Sequence, residues 1–461
     1  MSDETIVAIA TPVGFGGVGV VRLSGPSATT IAQKLWRSQR TTTKTQTALK
    51  PRQLHLGWLH EAGRQIDQAL LVSMPAPHSY TGEDVVEIQT HGAPAVLDWA
   101  VTRAQQAGAR LAQPGEFTKR AYLNGKIDLT QAEAVNDLIH ATSIGAVRAA
   151  SDQLAGGLRV AIDEIRAGLI ELSVAETAWL DFGDEDIAPK PATQLCRELR
   201  AINKQIDQQI DSARQAAVLR EGVRVALIGL PNAGKSTLLN QLLHYDRSIV
   251  TAQPGTTRDT IEEIVVIEDI PMRFVDTAGL NTRPDAIEQL GIERSKQVIR
   301  LADIIVLLVA PGTLRATKAF LREHQLETLL TAENTIVLAS KADLAGWRPI
   351  KWPPLTTLQL SAQSGKGLKA LQDQLAAFAK HHTGLGNSGE SALISAQRHL
   401  ALLKTASQSI DAAQQALAAD TPRDLVVSDI DIAIEALNEL AGDNISQAKL
   451  DAMFSTFCIG K

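Results

Sequence analysis

Residues 223–243 read Val-Arg-Val-Ala-Leu-Ile-Gly229-Leu-Pro-Asn-Ala-Gly234-Lys235-Ser236-Thr237-Leu-Leu-Asn-Gln-Leu-Leu243. A short apolar run, Val223–Ile228, predicts a strand, and Thr237–Leu243 predicts the helix that follows it. Between them, Gly229 to Ser236 fits G-x-x-x-x-G-K-[ST] in the strand–loop–helix setting that this pattern requires. The glycines let backbone N–H groups close around phosphate oxygens. Lys235 reaches the β- and γ-phosphates, and the helix start adds the positive end of its dipole. The hydroxyl of Ser236 suits Mg²⁺. Asn232, Ala233, Gly234 and Thr237 complete the candidate phosphate loop.

Further elements follow in an order that names the nucleotide. Asp276-Thr277-Ala278-Gly279 ends the expected strand Met272–Val275. A carboxylate there can hold Mg²⁺ through water, and the Gly279 N–H can sense the γ-phosphate, which makes a switch. Gly255-Thr256-Thr257-Arg258-Asp259 lies between these two motifs, where a threonine completes the Mg²⁺ shell. Lys341-Ala342-Asp343 follows the expected strand Thr335–Ala339. An aspartate in that place accepts from guanine N1–H and N2–H₂, which adenine lacks, and its unpaired carboxylate would reject adenine. Ser361-Ala362-Gln363, after Leu358–Leu360, fits a last base-contacting loop. Together they point to GTP. The usual guanine motif is Asn-Lys-x-Asp, whereas this chain has Ser340 in the first place. Base choice is expected to rest on Asp343, with weaker binding.

Leu280 stands where many signalling GTPases carry a water-orienting glutamine. Another group must therefore act, and Asp285, Glu288 and Glu293 are within reach in sequence, with Arg258 and Arg283 as available cations.

Outward from this α/β stretch, the period changes. Val135, Leu138, Ile139, Val147, Leu154, Leu158, Ile165 and Leu169 recur at helical spacing, as do Leu195, Leu199, Ile202, Ile206 and Ile210. Asp181–Lys190 interrupts the two series. His381–Ser391 reads as a linker, after which Leu393, Leu400, Leu403, Ile410 and Leu417 resume the helical period, followed by Leu425–Leu440. Helices on both sides imply an α/β unit inserted into a helical domain, with two separate bundles as the alternative. Nearer the start, Ile6–Ile9, Val18–Arg22, Ala69–Val72 and Val85–Gln89 predict strands.

The 461 residues allow about three domains. Hydrophobic residues make up 44% and charged residues 21%, which excludes general disorder. A net charge of −6 excludes a chain that coats nucleic acid by charge alone, and 4% aromatics are few for base stacking. No run of about 18 apolar residues predicts a membrane span. Two distant cysteines, Cys196 and Cys458, suit a reducing compartment. The acidic Met-Ser-Asp-Glu start lacks a secretory pattern, so a cytoplasmic, membrane-free protein is expected.

Several longer signatures carry a resemblance. They are Glu4-Thr-Ile-Val-Ala-Ile-Ala-Thr-Pro12, Ser79-Tyr-Thr-Gly-Glu-Asp-Val-Val-Glu87 with His91-Gly92, and Pro114-Gly-Glu-Phe-Thr-Lys-Arg-Ala-Tyr-Leu-Asn-Gly-Lys126-Ile-Asp-Leu129. To these are added Pro231-Asn232-Ala233 in the phosphate loop, Gly255–Asp259, and the terminal Phe457-Cys458-Ile459-Gly460-Lys461. From residue 6 to the last residue the chain resembles the MnmE (TrmE) family of tRNA modification GTPases.

That resemblance implies an α/β multidomain protein. Residues 1–122 would form an N-terminal α+β folate-binding and dimerising domain. A discontinuous α-helical domain would span 123–220 and 381–461, with a parallel-sheet P-loop GTPase domain inserted at 221–380. It implies a homodimer acting with the FAD-dependent MnmG (GidA) in a heterotetramer, with tRNA held largely through that partner. The pair would add a carboxymethylaminomethyl or aminomethyl group to C5 of the wobble uridine. 5-Formyl- or 5,10-methylene-tetrahydrofolate would supply the carbon, and glycine or ammonia the amine. By the same resemblance, K⁺ falls to Asn232, Thr251, Gln253 and Thr256, and Mg²⁺ to Ser236 and Thr257. Water orientation falls to Glu288, and folate contacts fall to Arg22, Glu87, Lys126 and Lys461. Cys458 is either a participant in the modification or a cysteine that packs. Two further departures from the family pattern are Gly14-Phe15-Gly16-Gly17, which lacks an arginine, and Ser446-Gln447-Ala448-Lys449, which lacks acidic residues. The competing reading is an assembly switch like the Era and Der GTPases.

Overall fold

The computed structural model describes residues 4–39, 49–182, 190–245, 262–276, 296–382 and 394–460. It divides into two compact units. The first holds Met1–Asn136, Gln153–Glu164 and Leu437–Lys461, and the second holds Asp137–Asp152 and Ile165–Ala436.

The first unit is built on β1 (Ile6–Ile9), β2 (Gly16–Ser24), α1 (Ala28–Leu35), β3 (Trp36–Ser38), β4 (His55–Glu61), β5 (Arg64–Met74), β6 (Val85–Gly92), α2 (Pro94–Gln106) and β7 (Arg110–Leu111). Their sheet order is β3-β4-β5-β6-β2-β1-β7. Among the described residues of this sheet, only β1 and β7 pair in parallel. Alternation along the strands sends Val21, Leu23, Leu59, Leu71, Val86 and Ile88 to one face. There they bury against Ile31, Leu35, Leu97 and Ala100 of the two helices. Each such fully buried aliphatic side chain contributes roughly 1.5–3 kcal/mol. Ile6 and Ala8 of β1 bury on the other face with Phe117 of α3 (Glu116–Leu123).

β1 lies where the sequence predicts it, and the other three predicted strands run longer than expected. β3, β4 and β7 have no counterpart in the sequence reading. In β4, Gly57 interrupts the apolar alternation because a Cβ there would meet the Arg37 carbonyl and the Trp36 ring.

The helices that follow are α4 (Leu129–His140), α5 (Ile144–Leu154), α6 (Gly157–Phe182) and α7 (Ala192–Glu221). Leu195, Leu199, Ile206 and Ile210 of α7 are buried as their spacing predicts, whereas Ile139 and Val147 are exposed. Those two are corrections: α4 and α5 carry apolar residues on more than one face, so the period alone does not say which face packs.

The second unit contains β8 (Val223–Gly229), α8 (Lys235–Tyr245), β9 (Glu262–Ile267), β10 (Ile270–Asp276), β11 (Ile304–Val309), α9 (Leu314–Glu323), β12 (Thr335–Ala339), β13 (Thr356–Gln359) and α10 (Leu368–His382). The sheet order is β13-β12-β11-β8-β10-β9, parallel except for the β9–β10 hairpin. β11 and β12 are buried throughout, as near-continuous apolar runs must be in a parallel sheet covered on both faces. α10 continues to His382, so the first two residues of the expected linker His381–Ser391 are helical, and the rest of it lies outside the described residues.

Past it come α11 (Ile394–Ala418), α12 (Arg423–Ala441) and α13 (Gln447–Phe454). Helices from the two sequence flanks of the parallel sheet meet. Asn203 of α7 donates to Asp411 of α11 at 2.8 Å, Ser173 of α6 donates to Asp431 of α12 at 2.7 Å, and Arg423 pairs with Glu176 at 2.6 Å. Two separate bundles are thereby excluded.

Candidate functional site

The parallel strands of the second sheet end at one edge, and there the sequence motifs converge, as ligand sites in open α/β sheets do. β8 runs into the phosphate loop. Gly229 is obligatory, because a Cβ would stand 2.7 Å from the Leu308 carbonyl of β11. Asn232 sits at φ +60° and Gly234 at φ +102°, so the loop turns through two left-handed positions before α8 begins at Lys235. Ala233 N–H donates to Leu230 O at 3.1 Å, and Leu238 N–H to Gly234 O at 2.9 Å. The side chain of Lys235 is only 7% exposed, and its ammonium donates to Gly229 O at 2.8 Å. It therefore lies across the concave side of the loop. Asn232, Ser236 and Thr237 are exposed around it.

Asp276 is the last residue of β10 and pairs in register with Leu227 of β8, two residues before Gly229. This brings the backbone of the Asp276 motif beside the phosphate loop. Hydroxyl and carboxylate oxygens are the donors Mg²⁺ takes, so the residue types fit that ion. Thr277, Ala278, Gly279 and Glu288 lie outside the described residues, as do Thr251, Gln253, Thr256, Thr257 and Lys461.

β12 ends at Ala339 and β13 at Gln359. Their following loops are joined: Ala342 N–H donates to Leu360 O at 3.0 Å, and Leu360 N–H to Ala339 O at 3.0 Å. Ser361 is buried, and its hydroxyl accepts from the Ser364 N–H at 3.2 Å. The Ser361 hydroxyl, the backbone N–H of Asp343 and the charge of Lys341 hold the exposed Asp343 carboxyl below its usual range. Ser340 is 3% exposed, and both its N–H (3.0 Å) and its hydroxyl (3.3 Å) are directed at Val309 O. Ala362 is half-buried against the sheet core, and Gln363 is exposed.

Sequence reasoning passed over Trp347. Its indole N–H donates to Ser340 O at 3.2 Å. A tryptophan directly after Gly346, inside a polar loop following the guanine motif, is the signal that was there to read.

A second constellation lies in the first unit. Arg22 and Glu87 are directly opposed on β2 and β6. The guanidinium donates through Nε to Glu87 Oε1 at 2.8 Å and through one NH₂ group to Gly460 O at 3.3 Å. It also stands 5.6 Å from the Tyr80 ring centroid and 5.7 Å from that of Phe117. Burial pushes the Tyr80 phenol above its usual pKa, against the opposing effects of the Thr118 hydroxyl and Arg22. Lys126 is exposed, with its stem against Gly82. Gly460 (φ +93°) packs so closely on Ile9 and Ala10 that a Cβ would overlap the Ile9 carbonyl, and Gly115 N–H donates to Cys458 O at 3.3 Å. The residues around Cys458 therefore pack on β1 and the start of α3, while the Cys458 side chain is exposed. Among the described residues, no helix is long and apolar enough to cross a membrane, and no cluster of His, Cys, Asp and Glu could hold a metal ion.

Residues 5–126 match the model of the GTP-binding protein TrmE N-terminus, and residues 129–458 match that of the MnmE helical domain. A protein of Azoarcus sp. (strain BH72) named tRNA modification GTPase MnmE is 40% identical over 461 residues, covering 99% of this chain and 98% of the relative. Relatives of the same name from Chloroflexus aurantiacus and Aquifex aeolicus are each 39% identical. They cover 100% and 99% of this chain, and 100% of each relative. By its full-length likeness to these relatives, joined to a phosphate loop and guanine-type loops, the chain belongs to the MnmE family of tRNA modification GTPases.

Proposed function

We propose that this chain hydrolyses GTP as one subunit of the machinery that adds a carboxymethylaminomethyl or aminomethyl group to C5 of the wobble uridine of certain tRNAs. The observation that carries the reading is the meeting, at one sheet edge, of a phosphate loop with Asp343 and Ser361, in a chain of this family. The phosphate loop grips the β- and γ-phosphates through backbone N–H groups and Lys235, and Asp343 reads the guanine edge.

Ser236 and Thr257 would hold Mg²⁺. Asn232, Thr251, Gln253 and Thr256 would hold K⁺, which supplies positive charge against the phosphates where other GTPases use an arginine. Glu288 orients the attacking water, and Thr277, Ala278 and Gly279 respond to the γ-phosphate. The domain division is 1–122, 123–220, 221–380 and 381–461. The N-terminal part binds a reduced folate through Arg22, Glu87, Lys126 and Lys461, and two copies form a homodimer. A FAD-dependent MnmG-type partner supplies the redox chemistry and much of the tRNA surface, consistent with the acidic charge of this chain. The protein works in the cytoplasm. Cys458, whose side chain is exposed, would join the modification chemistry.

The test is mass spectrometry of wobble-uridine nucleosides in tRNA from cells lacking the chain, rescued by the wild type or by Glu288→Ala. Loss of the C5 group, its return with the wild type and its failure with Glu288→Ala support the reading. Unchanged nucleosides on deletion, in cells without a second copy of the enzyme, overturn it in favour of an assembly switch.

A further inference from the structure

We infer that Trp347 is a positioning residue for guanine recognition, taking the tethering role that an asparagine at position 340 would otherwise fill. The inference rests on the GTP reading above. The loop from Ser340 to Trp347 carries both Lys341 and Asp343, yet Ser340 contributes no side-chain reach toward the base: its hydroxyl points back to Val309 O. Lys341 is held at φ +55°, in the left-handed region that a lysine does not adopt without support.

The support comes from the far end of the loop. Leu344 N–H donates to Lys341 O at 3.1 Å, Trp347 N–H donates to Leu344 O at 3.1 Å, and the Trp347 indole N–H closes the ring on Ser340 O at 3.2 Å. Gly346 (φ +78°) makes the bend that returns the indole to the strand end. Ser340 O is thus fixed from the loop side by Trp347, while its N–H and hydroxyl are fixed from the sheet side by Val309. Asp343 lies inside this closed turn, between Lys341 and Leu344, and is aimed by it. A rigid carboxylate discriminates between bases; a carboxylate on a loose turn binds without discriminating.

The test uses Trp347→Phe in the full chain. It keeps an aromatic ring, smaller than the indole, and removes the N–H donor. Dissociation constants for GDP and IDP are measured by displacement of a fluorescent guanine nucleotide. IDP lacks the 2-amino group that Asp343 reads. The expected result is about a fivefold weaker GDP affinity, the size of one hydrogen bond, and a GDP-over-IDP preference reduced by at least about half. The ratio of the two constants does not depend on the folded fraction, so reduced stability of the variant does not hide the answer. If GDP and IDP weaken equally, or neither changes, the positioning role is overturned while the GTP reading stands. If the wild type binds ADP as well as GDP, the GTP reading fails and this inference fails with it.

Discussion

The buried hydroxyl of Ser361 and the exposed carboxylate of Asp343 stand on two loops that follow adjacent parallel strands, and the hydroxyl lowers the pKa of the carboxyl. Because the Asp343 carboxyl is held below its usual range, it stays ionised throughout neutral and mildly acidic pH. Guanine selectivity is therefore expected to persist to a lower pH than an ordinary aspartate would allow. In Ser361→Ala the supporting hydroxyl is gone, the carboxyl titrates at higher pH, and the acid loss of GDP selectivity moves upward. A pH series of GDP and IDP dissociation constants checks this.

Asp343→Asn replaces an acceptor pair by an amide that can donate to a carbonyl. GDP affinity is expected to fall at least about a hundredfold and xanthosine diphosphate affinity to rise, since the amide pairs with the C2 oxygen of that base. Competition binding with the two nucleotides reads the exchange.

Lys235 is the most enclosed cation of the phosphate loop, lying across its carbonyls. Lys235→Ala is expected to abolish measurable GTP turnover and to weaken GDP binding by two orders of magnitude or so, the cost of a missing charge-assisted phosphate contact. Malachite-green phosphate release and calorimetry measure the two effects.

Glu176 is 1% exposed, and the Arg423 guanidinium is its ion-pair partner across the two helical flanks. Arg423→Met leaves that carboxylate buried and unmatched, with an expected loss of about 3–5 kcal/mol from the second unit. Glu176→Gln with Arg423→Met together should cost less than Arg423→Met alone. Calorimetric melting of the three variants separates the cases.

In the first unit, Glu116 is half-buried. Burial raises its carboxyl pKa, but hydrogen bonds from Arg110 and the Gln113 N–H, with the charges of Arg110 and Arg120, bring it below the usual value. A depressed folded value means stability that is present above the unfolded carboxylate pKa and lost as pH falls through the folded one. Acid unfolding of this unit is therefore expected to begin below about pH 4.5. Arg110→Gln should move that onset upward, as read by tryptophan fluorescence during an acid titration.

The second sheet was legible because its information is local. Each parallel strand is a short apolar run ending in a loop whose chemistry is written in three to eight consecutive residues, so Gly229–Ser236, Asp343 and Ser361 could be placed before any coordinates. The first sheet was only partly legible. Arg22 and Glu87 face each other solely because β2 and β6 pair in one register, and nothing within either segment says so. The two-residue β7 is too short to have a period, and β4 hides its own behind Gly57. Trp347 escaped because its role depends on one indole N–H reaching seven residues back, which residue type alone does not reveal. Ile139 and Val147 went wrong for a different reason: helical spacing identifies a stripe but not which neighbour covers it.

Gly460 against Ile9, and Cys458 against Gly115, make the last turns of the chain part of the structure that its first residues begin. On a ribosome this sets an order of events. Residues 4–136 emerge early but wait for Leu437–Lys461 to complete their unit, while the parallel sheet is synthesised and can close in between. At about 5–20 residues per second the delay is on the order of tens of seconds. During that time the nascent N-terminal sheet lacks the peptide that covers the Arg22–Glu87 pair. The nucleotide-binding sheet is thus free to mature before the N-terminal unit is whole, and nascent chains halted before residue 437 would bind GTP ahead of any competence at the N-terminal cluster.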